Sequence, residues 1–200
     1  MGVMIKVKKA LLLAVIAVSL AGCSFLSGIV NMTKCEYSYQ SISNVKVGGI
    51  DFSNLSAISL VQNMSTITKL LQGDFKDLPL EMTVNLNVKN PNESKAAIGG
   101  MIYTMNIDGL AVAEGNLQKS FSVEGGKTAT LPLVVRTNLG NILDKQNRET
   151  VVGIVKNFTG ISGNKSKIQM KLSPTITGRN NEQRKLMTVP VSFEYGGKKK

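Results

Sequence analysis

Met82, Val84, Leu86 and Val88 alternate with Thr83, Asn85 and Asn87, a period of two that predicts a strand with one apolar face and one amide-bearing face. Asn90-Pro91-Asn92 ends it, because proline lacks the ladder donor and asparagine caps turns through its side chain. The alternation returns in Met101, Tyr103, Met105 and Ile107, followed by the hairpin pair Asp108-Gly109. Leu110 to Ala113, Leu117 to Val123, and Ala129, Leu131, Leu133 and Val135 read as further strands, with turns at Glu114-Gly115 and Glu124-Gly125-Gly126. Ile168, Met170 and Leu172 up to Pro174, then Met187, Val189, Val191, Phe193 and Tyr195, supply the last two. Upstream, Tyr37, Tyr39, Val45 and Val47 predict one or two short strands before a turn at Gly48-Gly49. Short alternating strands separated by glycine turns predict a mainly β chain, folded as an antiparallel sandwich or barrel.

Two stretches change period. Leu60, Val61, Met64, Ile67, Leu70 and Leu71 recur every three or four positions, which predicts a helix capped by Ser53 or Ser56 and closed by Gly73. Residues 138–158 carry Leu139, Ile142, Leu143, Val151, Val152, Val155 and Phe158, a helical spacing broken near Asn147 and ended by Gly160. This second stretch reads as an insertion that covers an open end or edge of the sandwich.

The chain starts differently. Lys6, Lys8 and Lys9 precede an apolar run from Ala10 to Leu20 that is too short to span a bilayer comfortably, and Leu20-Ala21-Gly22-Cys23 follows. That order reads as an export signal, residues 1–22, that is removed. The Leu-Ala-Gly-Cys box resembles the lipobox of bacterial lipoproteins, and the resemblance implies acylation of the Cys23 thiol and of its freed amine. Several acyl chains give effectively permanent membrane binding, since each buried methylene adds about 0.8 kcal/mol. Ser24, not Asp, follows Cys23, which resembles sorting to the outer membrane, facing the periplasm. Residues 23–36, rich in small polar side chains, read as a lipidated tether, residues 37–197 as the sandwich and 198–200 as a basic tail.

Composition narrows the partners. Loss of residues 1–22 lowers 24 basic residues to 21 against 13 acidic ones, a net charge of about +8. Such a surface is either a solvated basic face or one that makes weak contacts with anionic lipid or envelope proteins. Nucleic acid fits the charge but not the compartment, and aromatic residues are few. With Cys23 acylated, Cys35 is left without a disulfide partner in the chain: it reads as a small buried residue or one near the anchor, with a bridge to another chain the less favoured alternative.

Val84-Asn85-Leu86-Asn87-Val88-Lys89-Asn90-Pro91-Asn92, the alternating strand through Tyr103 to Asp108-Gly109, Ala113-Glu114-Gly115 and the later Thr130-Leu131-Pro132-Leu133 stand in the order of a known pattern. It resembles the water-stress and hypersensitive-response (WHy) domain of type 2 late-embryogenesis-abundant (LEA type 2) proteins, most closely from Ile42 to Leu133. The resemblance implies a two-sheet sandwich of the immunoglobulin or fibronectin-III kind with a helix. The helix read from Ser56 to Leu71, before the Asn-Pro-Asn strand, and the insertion after Arg136 depart from the family pattern. It also implies protection against desiccation-type stress without catalysis.

Little in the chain invites chemistry. There is no histidine, so the commonest general base, the commonest zinc ligand and the Ser-His and Cys-His nucleophile pairs are excluded. Glycine pairs beginning at 48, 99, 125 and 196 read as turns at strand ends, since none opens a phosphate-cradling helix. Asp74, Asp77 and Glu182 read as solvated loop charges. The expectation is therefore a non-enzymatic protein with no cofactor, no metal and no small-molecule substrate. Asn90, Pro91 and Asn92 are expected to form a structural turn, with Asn85, Asn87, Asn90 and Asn92 lining an outward polar face. A second possibility is a carrier of lipid or of client proteins at the outer membrane, which needs an interior cavity of several hundred cubic ångströms.

Overall fold

A computed structural model describes residues 27–53, 57–72, 76–143, 146–177 and 182–197. The signal, Cys23 and residues 24–26, the cap residue Ser56, Gly73 and the tail 198–200 lie outside the described residues. A short helix α1 (27–33) leads into β1 (Glu36–Val47) and β2 (Ile50–Asp51), then the helices α2 (Ala57–Gln62) and α3 (Met64–Gln72). Strands β3 (Pro79–Lys89), β4 (Ala96–Ile98), β5 (Gly100–Ile107), β6 (Leu110–Leu117), β7 (Phe121–Val123) and β8 (Thr128–Asn138) follow. A 3-10 turn (Leu139–Ile142) and α4 (Arg148–Phe158) then precede β9 (Lys165–Thr177), β10 (Gln183–Lys185) and β11 (Val189–Gly196).

The strands form two antiparallel sheets, ordered β2-β1-β3-β8 and β10-β9-β5-β6 with β11 also on β9, plus a small β4-β7 pair. The fold is the mainly β sandwich that the alternation predicts. Met82, Val84, Leu86 and Val88 of β3 and Leu131, Leu133 and Val135 of β8 are buried, as are Met101, Met105 and Ile107 of β5 and Ile168, Met170 and Leu172 of β9. They belong to one hydrophobic cluster, in which each full-sized side chain contributes about 1.5–3 kcal/mol on burial. Along one side the two sheets meet where Tyr103 donates its hydroxyl hydrogen to Val134 O (2.8 Å) and Thr137 Oγ1 donates to Val112 O. On the other side β1 approaches β11, with the Tyr39 and Phe193 rings stacked 4.1 Å apart.

Several details depart from the sequence expectations. β1 is a single twelve-residue strand with two bulges, at Gln40 and around Asn44, whose φ is +55°. Each bulge inserts one unpaired residue and hides the period from a reading of the sequence alone. Glu114-Gly115 is no turn: it lies inside β6, where Gly115 faces Tyr103 across the pair and a Cβ would run into the tyrosine ring. β9 does not stop at Pro174 but continues to Thr177. Its neighbour changes there from β11, which pairs residues 165–172, to β10, which pairs residues 175–177, so the missing N–H falls in the gap. The expected single helix over residues 56–71 is two, divided at Asn63, and on them Ile58 and Val61 are 70% and 72% exposed while Ile67 is buried.

The insertion near 138–158 is helical and packs as expected against an edge of the sandwich. Asn138 accepts hydrogen bonds from Leu78 N and Gly140 N at 2.9 Å each, fixing the 3-10 turn on the start of β3. α4 buries Val151, Ile154, Val155 and Phe158 and packs on β9, β11 and α3. The Phe158 ring meets the edge of Tyr195 at 5.1 Å. Gly196 has a φ of +107° and lies so close under Asn157 that no side chain fits there.

Candidate functional site

Asn90, Pro91 and Asn92 sit where β3 leaves its sheet, and they do form a turn. The outward polar face is corrected at this point, because Asn90 is completely buried. Its amide Nδ2 donates to Ser94 O and Val123 O, both at 3.0 Å, while its Oδ1 accepts from Asn92 N (3.0 Å) and Asn92 Nδ2 (2.7 Å). Its backbone N donates to Lys127 O at 2.9 Å. Burying an amide is costly unless such partners are supplied, so a side chain with two donors and an acceptor is required here. Pro91 is exposed and ends the ladder, and Asn92 is half-buried.

Two other segments complete the cluster. The Glu124-Gly125-Gly126 turn lies against it: Gly126 has a φ of +66°, its N donates to Asn92 O, and a Cβ at Gly125 would strike the carbonyl of Glu93. From the other direction comes α1. Asn31 Nδ2 donates to Ser94 Oγ (2.7 Å), Lys95 O (3.2 Å) and Ser94 O (3.4 Å), and Asn92 Nδ2 returns a bond to Asn31 O (3.0 Å). Ile29 and Met32 on α1 are buried, Met32 fully. The segment expected to be a tether is thus, from Ser27 onward, a helix built into the fold.

Beside this hub lies Cys35, buried and free, its thiol donating weakly to Asn31 O at 3.5 Å. Burial pushes its pKa up to about 11, so at neutral pH it is a thiol and a poor nucleophile. Burial also raises the Tyr37 hydroxyl well above the usual phenol range, and the buried Tyr37 oxygen finds no hydrogen-bond partner among the described residues.

Sequence reasoning located Asn90, Pro91 and Asn92 but missed Asn31 and Ser94. The Asn31 bond to Ser94 joins residues 63 positions apart, and no local pattern reports such a contact. Asn85, expected on the outward face, is tied across the sheet by donating to Ser41 Oγ (3.1 Å) and Ser43 Oγ (3.2 Å). A shallow depression lies on the outer face of the second sheet, lined by Thr104, Asn106, Gln169, Lys171, Pro190 and Ser192. Among the described residues, no group of three or more cysteine or acidic side chains is placed to hold a metal ion, and no helix is long and apolar enough to cross a membrane.

The geometry of the hub therefore serves cohesion: it pins α1, the end of β3 and the β7–β8 turn to one another with its donors and acceptors turned inward. The family model described as Late embryogenesis abundant protein (LEA type 2) matches residues 85–194, just over half of the chain. The chain belongs to the LEA type 2 family. The matched span of this LEA type 2 protein holds Asn90, Pro91, Asn92 and the α4 insertion, and leaves α1, β1, α2 and α3 outside it. The family is in general non-enzymatic. Solved structures similar to this LEA type 2 chain include the crystal structure of a protein from Archaeoglobus fulgidus, at 17% identity over 80% of this chain and 98% of that one, TM-score 0.37. They also include the solution structure of an Arabidopsis thaliana protein, at 17% identity over 62% of this chain and 74% of that one, TM-score 0.42. A third is the solution structure of a candidate late embryogenesis abundant (LEA) protein, at 15% identity over 96% of this chain and 86% of that one, TM-score 0.41. Nothing among the curated proteins matches the chain.

Proposed function

We propose that this is a non-catalytic bacterial lipoprotein whose LEA type 2 sandwich, held to the outer membrane through acylated Cys23 and facing the periplasm, protects the envelope against desiccation-type stress as a binding module. The observation that carries the reading is the Leu20-Ala21-Gly22-Cys23 box, which is separated by three residues from the first residue of the described fold. Family membership supports a protective rather than catalytic role. The buried run of Met82, Leu86, Met101, Met105, Leu131 and Leu133 supports a filled sandwich over a carrier, because close-packed side chains leave no room for a ligand.

The test is expression of the full chain in a bacterial host, with and without Cys23→Ala. The wild-type chain is expected to be released from the envelope only by detergent, with a mature mass that begins at Cys23 and includes acyl chains. Cys23→Ala is expected to accumulate unprocessed, and cells lacking the protein to survive drying less well unless the wild type is restored. Recovery of unmodified wild-type chain in the soluble fraction, or drying survival rescued equally by Cys23→Ala, would overturn the reading.

A further inference from the structure

A lipid on Cys23 would be tied to a part of the fold that cannot swing away. Residues 24–26 are the whole connection to α1, and the four backbone steps from Cys23 to Ser27 reach at most about 14 Å. α1 is itself held down, by the Asn31 bonds to Ser94 and Lys95, the Asn92 bond to Asn31 O, and the burial of Ile29 and Met32. On its free side Val30 is 53% exposed, an apolar side chain facing out of the element nearest the lipid.

The charges around it agree. Lys34, at the end of α1, and Lys127, whose carbonyl accepts from Asn90 N, are exposed and make no ion pair among the described residues. At the same end Glu36 and Glu124 are paired with Lys89 (3.2 Å) and Lys95 (3.1 Å). α2 and α3 lie at the other end: β2 pairs with the last residues of β1, and Arg148 of α4 donates to Gln72 O. The eleven residues of β3 put roughly 35 Å between the two ends.

Resting on the lipidation reading above, we propose that the α1 end of the sandwich sits on the bilayer, with Val30 dipping into the headgroup boundary and Lys34 and Lys127 against anionic headgroups. The domain then stands end-on, and the exposed Ile58 and Val61 face away from the membrane that holds it.

The chain contains no tryptophan, so a single introduced indole reports cleanly. Full-length acylated Val30→Trp and Val61→Trp proteins are reconstituted into phosphatidylethanolamine–phosphatidylglycerol vesicles containing brominated acyl chains. Val30→Trp is expected to emit to the blue and to be quenched about twofold or more over Val61→Trp, since interfacial apolar groups sink roughly 5–10 Å into the boundary. Adding Lys34→Glu and Lys127→Glu is expected to reduce that difference at low salt. Equal quenching of the two indoles, or stronger quenching of Val61→Trp, overturns the orientation. The intact mass separates the two readings: an acylated, vesicle-bound protein with unquenched Val30→Trp sinks the orientation alone, whereas a chain without acyl mass that fails to float with the vesicles sinks the lipoprotein reading and the orientation with it.

Discussion

Asn90 and Tyr37 show opposite ways of burying a polar group. Every hydrogen-bonding group of the Asn90 side chain is engaged, so Asn90→Ala leaves the Ser94 and Val123 carbonyls and both Asn92 N–H groups short of partners. A loss of about 2–4 kcal/mol is expected, read as a lower urea midpoint, with Asn92→Ala losing about half as much. Tyr37→Phe removes a hydroxyl that has no partner among the described residues, so stability is expected to hold or to rise by up to about 1 kcal/mol. Cys35 ties stability to pH. Its thiol pKa is raised from 9.0 to about 11 in the folded chain, so the unfolded chain loses the proton first and stability falls as pH rises between those values. Urea midpoints at pH 8 and pH 10.5 should therefore differ more for the wild type than for Cys35→Ala, and thiol alkylation at pH 8 should be slow until the chain unfolds.

Glycines report how the elements meet. Gly153 lies in the middle of α4 with open space around its missing side chain, so Gly153→Ala should stabilise by about 0.5–1 kcal/mol through helix propensity. Gly125→Ala should do the reverse and cost about 2 kcal/mol or more, because the backbone of Glu93 already occupies the space and cannot rotate aside. Thermal melts of the two variants test the pair. Period-two strands such as β3 and β5 are legible in the chain because one face meets apolar core and the other water, and each residue's choice is local. Gly115 is not legible, since glycine in a turn and glycine beneath Tyr103 look alike until the partner strand is in place. The bulges in β1 and the crossing of Pro174 from β11 to β10 are decided by neighbouring strands in the same way.

For the molecule as a whole, the hub moves the start of the domain. Small polar residues before Tyr37 have the composition of a tether, yet Asn31 and Met32 are held by partners far along the chain. A chain beginning at Ser24 is therefore expected to outlast one beginning at Tyr37 by at least about 2 kcal/mol, the scale of a single buried methionine, when both are unfolded in urea. The Asn-Pro-Asn turn could be recognised from its own residues, whereas its role as a junction depends on contacts more than sixty positions apart.

The two seams of the sandwich have a consequence for what happens between molecules. An uncovered edge strand is a template on which a neighbouring chain can add a strand of its own, and the hazard grows as copies are crowded together. Here β8 is tied to β6 through the Thr137 hydroxyl and to β5 through the Tyr103 hydroxyl, and β1 is screened by β11 through the Tyr39–Phe193 stack. On the protective reading proposed above, these cross-sheet contacts are expected to hinder strand addition as water is withdrawn and copies crowd together, so a dried and redissolved sample should elute from a sizing column as it did before drying.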